Sequence, residues 1–361
     1  MNNFPARVHH VDSGSTIKED GMNRFSWKWY LSELKQDKDI KVFTTFSCGG
    51  GSSMGYKRAG FQVIGNVEID PKINAMYCKN NHPKYNYCMD LRDFNKLNDL
   101  PEELYHLDIL DGSPPCTTFS MAGKRENTWG KKKKFREGQT EQTLDDLFFV
   151  FLDTVEKLKP KVVIAENVEG IINGNAKGYV NLIVKRFHEL GYDVQIFNLN
   201  AAFMDVPQAR HRVFFLANRE SFPKIKLDFK NDAIKFGEVR SEKGVEFGND
   251  DSVIKKLVNL ANKGERRCAD VTKRMAGTDK RYFTSRIIDD DAVAQTVTSA
   301  GYLIRYFDKL LCTDQDFINV QSFPQDYDFC GNGVQYVCGM SVPPNMMANI
   351  AMEVYEQWLK K

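Results

Sequence analysis

The sequence predicts an α/β fold, a doubly wound and mostly parallel sheet between helices, with a smaller second domain. Three observations predict it. From Lys41 onward, short β-rich runs that each end in Gly, Asp or Pro alternate with helical stretches, the rhythm of a parallel sheet. That rhythm stops near Arg219, and residues 220–300 carry many charges and turn signals without a clear period. With 361 residues, 42% of them hydrophobic and 27% charged, the chain can bury a sizeable core in two domains.

Residues 1–40, where Trp27, Trp29 and Tyr30 stand amid polar sequence, read as an extension with one helix over about 25–34. The main unit, 41–219, has strands at 41–46, 62–68, 107–111, 161–165, 194–198 and 212–217. Residues 144–158 (LDDLFFVFLDTVEKL) are apolar enough for a helix buried against that sheet, and Pro160 stops it. Residues 220–300 form the second unit. Within 263–286 eight Lys or Arg face three Asp or Glu, an excess that suits either a solvated surface or a docked polyanion. The last part, 301–361, turns helical around 346–359.

Composition excludes several classes. The N-terminus lacks a charged n-region followed by an apolar run, and no stretch of about 18 apolar residues exists, so a cytoplasmic protein without membrane contact is expected. Eight cysteines without a CxxC pair argue against a zinc site and against a secreted disulfide framework; no metal is expected, and reduced thiols are. A net charge of +2 leaves nucleic acid open, because a polyanion binder can concentrate its basic residues locally.

Four segments and two single acids can carry chemistry. FSCGGGSSMG, residues 46–55, follows the first strand of the main unit, where a glycine-rich turn lets the backbone approach a nucleotide or simply closes the chain. Glu68 ends the next strand, where an acid can accept from both ribose hydroxyls, and Asp90 either reads an adenine amine or caps a helix. Asp111-Gly-Ser-Pro-Pro-Cys116 ends a further strand, and two prolines fix the direction of the thiol that follows. A free thiol is mostly protonated at neutral pH, so a reactive Cys116 needs help from its surroundings; a packing cysteine is the plainer alternative. Glu166-Asn167-Val168 closes the strand KVVIA and sets a carboxylate on the same sheet edge as Cys116, equipped to hand over a proton or merely exposed. Gln208-Ala-Arg210-His-Arg212 opens the next strand with two arginines at i and i+2, which share a face and can hold a carboxyl or phosphate.

In this order, FSCGGGSSMGYKRAGF, NVEID, DGSPPCTTFS, AENV, QARHR and FPQDY…GMSVPP resemble the motifs of the DNA cytosine-5 methyltransferase family, of bacterial and phage type. The resemblance covers Lys41 to about Arg219 and about Thr296 to the C-terminus. Adenine-N6 and cytosine-N4 methyltransferases instead carry an aromatic residue after Pro-Pro; the Cys here is what C5 chemistry needs. The resemblance implies a Rossmann-like catalytic domain at 41–219, a target-recognition domain at 220–300, and a C-terminal segment, 301–361, returning to the first.

It also implies S-adenosylmethionine as cofactor and duplex DNA as partner. Cys116 would attack C6 of the target cytosine while Glu166 engages N3 and the exocyclic amine; Arg210 and Arg212 would contact the base or a phosphate. Phe46 would lie against the adenine, with Ser47, Cys48, Gly49 and Gly50 around the methionine part. Glu68 and Ile69 would serve the ribose, Asp90 and Leu91 the adenine edge, and Pro115, Leu147, Ser341 and Val342 would complete the pocket. The basic stretch 120–138, with Lys124 and Arg125, resembles a loop that closes over DNA, and Arg266, Arg267, Lys273, Arg274, Lys280 and Arg281 would contact it in the recognition domain. A restriction-modification or phage self-protection system, with possible pairing to a restriction endonuclease, is the setting that the resemblance suggests; a monomer is expected because an asymmetric insert can read a short site alone.

The chain departs from the family pattern in three places. Cys48-Gly49 stands where Gly-Cys is usual, Ile69 replaces an aromatic residue, and Met340 replaces the Asn of Gly-Asn-x-Val, which weakens the expected grip on the cofactor. A tRNA cytosine-5 methyltransferase, an inert DNA-binding relative and a nicotinamide-dependent oxidoreductase are the rival readings; Cys116, Glu166 and both arginines argue against the inert one.

Overall fold

The computed structural model describes residues 7–11, 24–115, 147–173, 177–248, 252–277, 282 and 284–360. Its centre is an eight-stranded sheet in the order β1-β7-β9-β6-β5-β2-β3-β4. The strands are β1 (Val8–Val11), β2 (Lys41–Thr45), β3 (Gln62–Glu68), β4 (Tyr85–Cys88), β5 (Ile109–Gly112), β6 (Val162–Val168), β7 (Asp193–Asn200) and β9 (His211–Asn218). Every pairing is parallel except those of β9, which runs antiparallel to both β6 and β7. The sheet is thus mixed but mostly parallel. The six expected strands form within a few residues of their expected bounds.

Alternation along the strands loads both faces. Val42, Ile109, Ile164 and Phe214 point to one layer, formed by α1 (Gly51–Arg58) and α11 (Pro344–Val354). Phe43, Leu110, Val163 and Phe215 point to the other, where α4 (Leu147–Leu158) and α5 (Lys177–Glu189) pack, with the Phe148 and Phe215 rings 5.1 Å apart. Among the described residues before β9, the other α-helices are α2 (Pro71–Asn81) and the one-turn α3 (Leu91–Phe94).

The N-terminal part differs from expectation. In place of a helix over 25–34 there is one 3-10 turn, Leu31–Glu33, and β1 joins the sheet edge beside β7. Tertiary contacts account for this: buried Trp29 donates its indole N–H to the Ser322 carbonyl at 2.9 Å, and the Leu31 N–H goes to Asp326 Oδ1 at 2.8 Å. These draw the segment out along the surface of the C-terminal part.

Beyond Arg219 lie α6 (Phe236–Val239), α7 (Val253–Asn259), α8 (Cys268–Ala276) and the parallel pair β10 (Arg286–Ile288) and β12 (Leu303–Arg305). Phe247, Val258, Cys268, Val271, Ile287 and Ile304 make a small core there. A second pair, β8 (Gln208–Ala209) with β11 (Ala294–Gln295), ties this part to the sheet edge. The chain then returns through α9 (Asp314–Val320) and α10 (Val334–Met340) to α11. Among the described residues no helix is long and apolar enough to cross a membrane.

Candidate active site

β2 ends in a turn that bends sharply before α1: Phe46, Cys48 and Gly50 all have positive φ, at 52°, 45° and 75°. Glycine is required at two positions. A Cβ on Gly50 would lie 2.4 Å from Asn81 Nδ2 in a left-handed conformation, and one on Gly51 would lie 2.0 Å from the Val342 carbonyl oxygen. The turn is held from behind by Glu68, whose two carboxylate oxygens accept from the N–H groups of Cys48 (2.8 Å) and Asp70 (2.9 Å). Burial pushes the Glu68 carboxyl up, and those main-chain donors oppose the shift. Tyr327 reaches the turn from the C-terminal part, donating its hydroxyl to the Gly49 carbonyl at 2.7 Å.

In front of the turn is a small cavity. Phe46, Ser47, Cys48, Ser341 and Val342, all expected at a cofactor site, line it together with Met340. Gly49 and Gly50 shape the turn, while Ile69, Asp90, Leu91, Pro115 and Leu147 lie outside that lining. Asp90 caps α3, accepting from the Arg92 N–H at 2.8 Å and pairing with its guanidinium at 3.1 Å. Leu91 and Leu147 are buried core side chains.

Asp111 was not singled out by sequence, yet it lines the same cavity, 2% exposed. Tyr56 donates its hydroxyl to Asp111 Oδ1 at 3.0 Å. Burial and the nearby Glu166 carboxylate push its pKa up to about 8, against the hydrogen bonds from Tyr56 and Ser52. The available signal was an acid inside the otherwise apolar strand ILDG.

A second group of side chains gathers on the neighbouring edge. Glu166 on β6 and Arg212 on β9 form an ion pair, Oε1 to Nε at 2.9 Å, with both side chains little exposed. Arg212 also donates Nη1 to the His211 carbonyl at 2.7 Å. Asn167 donates Nδ2 to the Pro114 carbonyl at 3.1 Å, which pins the Pro-Pro segment to the end of β6, one residue beyond Glu166. Cys116 itself, like Lys124, Arg125 and the whole of 120–138, lies outside the described residues.

The two arginines part company. Arg210 is 2% exposed and gives its guanidinium to three carbonyls, those of Val297 (2.9 Å), Gly339 (3.0 Å) and Ser341 (3.1 Å). In this arrangement it braces the protein from within, where the resemblance implied a contact to base or phosphate. In the second unit Arg266, Lys273 and Arg274 are exposed; Arg274 pairs with Glu265 and Arg267 with Asp270, both at 2.7 Å. Lys280 and Arg281 lie outside the described residues. A larger cavity of about 380 Å³, lined by Phe25, Trp29 and Arg58 among others, sits at the opposite end of α1 from the glycine turn.

Fold and edge together set a small cavity at a glycine turn beside a little-exposed carboxylate–guanidinium pair, on the edge of an α/β sheet. The chain belongs to the family of C-5 cytosine-specific DNA methylases, whose model matches residues 40–356, and the methyl donor of that family is S-adenosylmethionine. It is 29% identical over 348 residues to the type II methyltransferase M1.HphI of Haemophilus parahaemolyticus, covering 91% of this chain and 90% of that one. With the type II methyltransferase M.Sau96I of Staphylococcus aureus it shares 35% identity over 208 residues, 56% of this chain and 45% of the relative. Against several such relatives the matched region therefore spans only about half of their length. Among solved structures, Spodoptera frugiperda DNMT2 shares the fold, with a TM-score of 0.60 at 16% identity over 88% of this chain and 100% of that one.

The residues present fit the family's cofactor. The cavity is walled mainly by hydroxyl groups and main chain, with one buried acid, Asp111, and a second acid, Glu68, behind the turn.

Proposed function

We propose that the chain methylates C5 of a cytosine within a specific short sequence of duplex DNA, through a covalent bond between Cys116 and C6 of the base. The observation that carries this reading is the clustering at one edge: Asn167 holds the Pro114 carbonyl while its neighbour Glu166 is paired to Arg212. Two residues after Pro114 comes Cys116.

S-adenosylmethionine, when bound, supplies the methyl group as an electrophile. Phe46, the turn Ser47–Gly50, Ser341 and Val342 would hold it, with Glu68 behind. Cytosine C5 is a poor nucleophile until electrons are added to the ring. The Cys116 thiolate adds to C6 and pushes an electron pair towards C5; Glu166 engages N3 and the exocyclic amine, and Arg212 fixes that carboxylate in position. After methylation, loss of the C5 proton returns the electron pair and expels the Cys116 sulfur. Because the reacting carbon is stacked inside a duplex, the base must be flipped out at a cost of a few kcal/mol, which basic contacts must offset. Exposed Arg266 and Lys273 suit phosphate contacts in the second unit, and Lys124 and Arg125 are assigned the same role by sequence alone. Action as a monomer, alongside a restriction endonuclease, completes the proposal; relatives carry both type II and orphan names.

The test is methylation of an unmodified DNA library by the purified protein, read at single-cytosine resolution beside Cys116→Ala. Methyl groups at one cytosine within a recurring short sequence, absent from the variant, are expected. Transfer to tRNA with none to any DNA would overturn the choice of substrate.

A further inference from the structure

Asp111 has no part in the cytosine chemistry, and its setting is unusual for an acid. On β5 it faces α1, while Gly112 faces α4 so closely that a Cβ there would lie 2.4 Å from the Phe151 ring. Its partners are neutral: the Tyr56 hydroxyl at 3.0 Å and the Ser52 side chain. Among the described residues the titratable groups facing it are Tyr56 from α1, Tyr77 from α2 and Glu166 from β6, none of them a cation, and Glu166 is already matched by Arg212. Elsewhere the cavity offers the hydroxyls of Ser47, Ser113 and Ser341 and, at the position where the family carries Asn, the thioether of Met340. A carboxyl group so placed is tolerated when neutral, and becomes a strong ligand when a cation enters beside it and water is excluded.

We propose that Asp111 is the counter-ion for the positive charge on the methionine portion of the bound methyl donor, and that it releases its proton to solvent when the donor binds. This rests on the methyltransferase reading above. It assigns to one acid the recognition that the missing Asn at Met340 would otherwise share.

The test is calorimetric titration of the full chain with S-adenosylmethionine at pH 7 in two buffers of different ionisation enthalpy. With the free group at about 8, about nine tenths of a proton should leave per donor bound. Asp111→Asn keeps an acceptor for Tyr56; it should abolish that release and weaken donor binding about tenfold or more. The difference between the two proteins isolates this proton from any the donor carries. S-adenosylhomocysteine, which lacks the sulfonium but keeps the ammonium, separates the two possible charges: release with both ligands assigns the ammonium, release with the donor alone the sulfonium. Binding without proton release in the unaltered protein, or release of the same size in Asp111→Asn, overturns the proposal and leaves the methyltransferase reading standing. Absence of any donor binding overturns both.

Discussion

Asp111→Asn should make the cofactor-free protein more stable, by an amount that depends on pH. In the folded chain burial holds the Asp111 carboxyl at about 8, against 3.8 for the free side chain. Between these values the native state keeps a proton that the unfolded state has released, so stability falls as pH rises from about 4 to about 8 and is flat beyond. At pH 7 the gap is about three pH units, and at 1.36 kcal/mol per unit the acid costs about 4 kcal/mol relative to a neutral group of the same shape. Asparagine is such a group and can still accept from Tyr56. Urea denaturation of both proteins without cofactor, from pH 5 to pH 9, measures the difference. We expect Asp111→Asn to gain about 1.4 kcal/mol per pH unit over the unaltered protein and to level off near pH 8. A difference that stays constant with pH would refute the reasoning, because it would mean that Asp111 is already ionised in the empty pocket.

Three further substitutions follow from the same geometry. Asn167→Ala removes the buried bond to Pro114 and should lower kcat by about 10- to 100-fold, the equivalent of about 1–3 kcal/mol, with the affinity for S-adenosylmethionine unchanged; single-turnover kinetics and calorimetry separate the two. Gly51→Ala drives a methyl group into the Val342 carbonyl at 2.0 Å, where backbone must move, so donor binding should fall sharply together with a loss of about 1–3 kcal/mol in urea stability. Arg210→Met leaves three carbonyls without their donor in a buried setting and should cost about 3 kcal/mol or more; an unaltered unfolding midpoint would show that water replaces the guanidinium.

Much of the sheet was legible because its strands are apolar runs that stop abruptly. KVFTT, VVIAENV and HRVFFLAN each end where the chain must leave the core, and length and period locate them within a few residues. Direction was not legible: hydropathy is the same for a strand read either way, so β9 gave no sign that it runs against β6 and β7. β1 and β4 escaped because VHHV and YNYC are edge strands of four residues whose pairing comes from a distant partner rather than from local pattern. At the site, the i, i+2 spacing of Arg210 and Arg212 suggested one shared role, but only Arg212 holds a carboxylate, that of Glu166. Their different fates depend on Val297 and on the 339–341 turn, residues that no window around 210 contains. In the sequence Asp111 is one letter of a motif; its burial follows from β2 and β6 flanking β5, which is a property of strand order.

The pocket's two walls come from opposite ends of the chain, and this dictates how it must form. Cys48 and Ser341 approach to 4.0 Å across 293 residues, Gly51 leaves room for nothing but the Val342 carbonyl, and Tyr327 caps Gly49. A glycine turn made early in folding therefore has no second wall until α10 and α11 dock, and contacts of such long separation carry a loop-closure cost that must be met first. Arg210 stands at the junction: it joins the Ser341 carbonyl of the cavity wall to the Val297 carbonyl, two residues beyond β11. Gln321 and Gln335 add further bonds at the same junction, to the Ser341 carbonyl at 2.8 Å and to the Gly301 carbonyl at 2.9 Å. A fragment ending before Val334 would keep every strand of the sheet and yet lack the pocket, so it should fold in part and bind no donor.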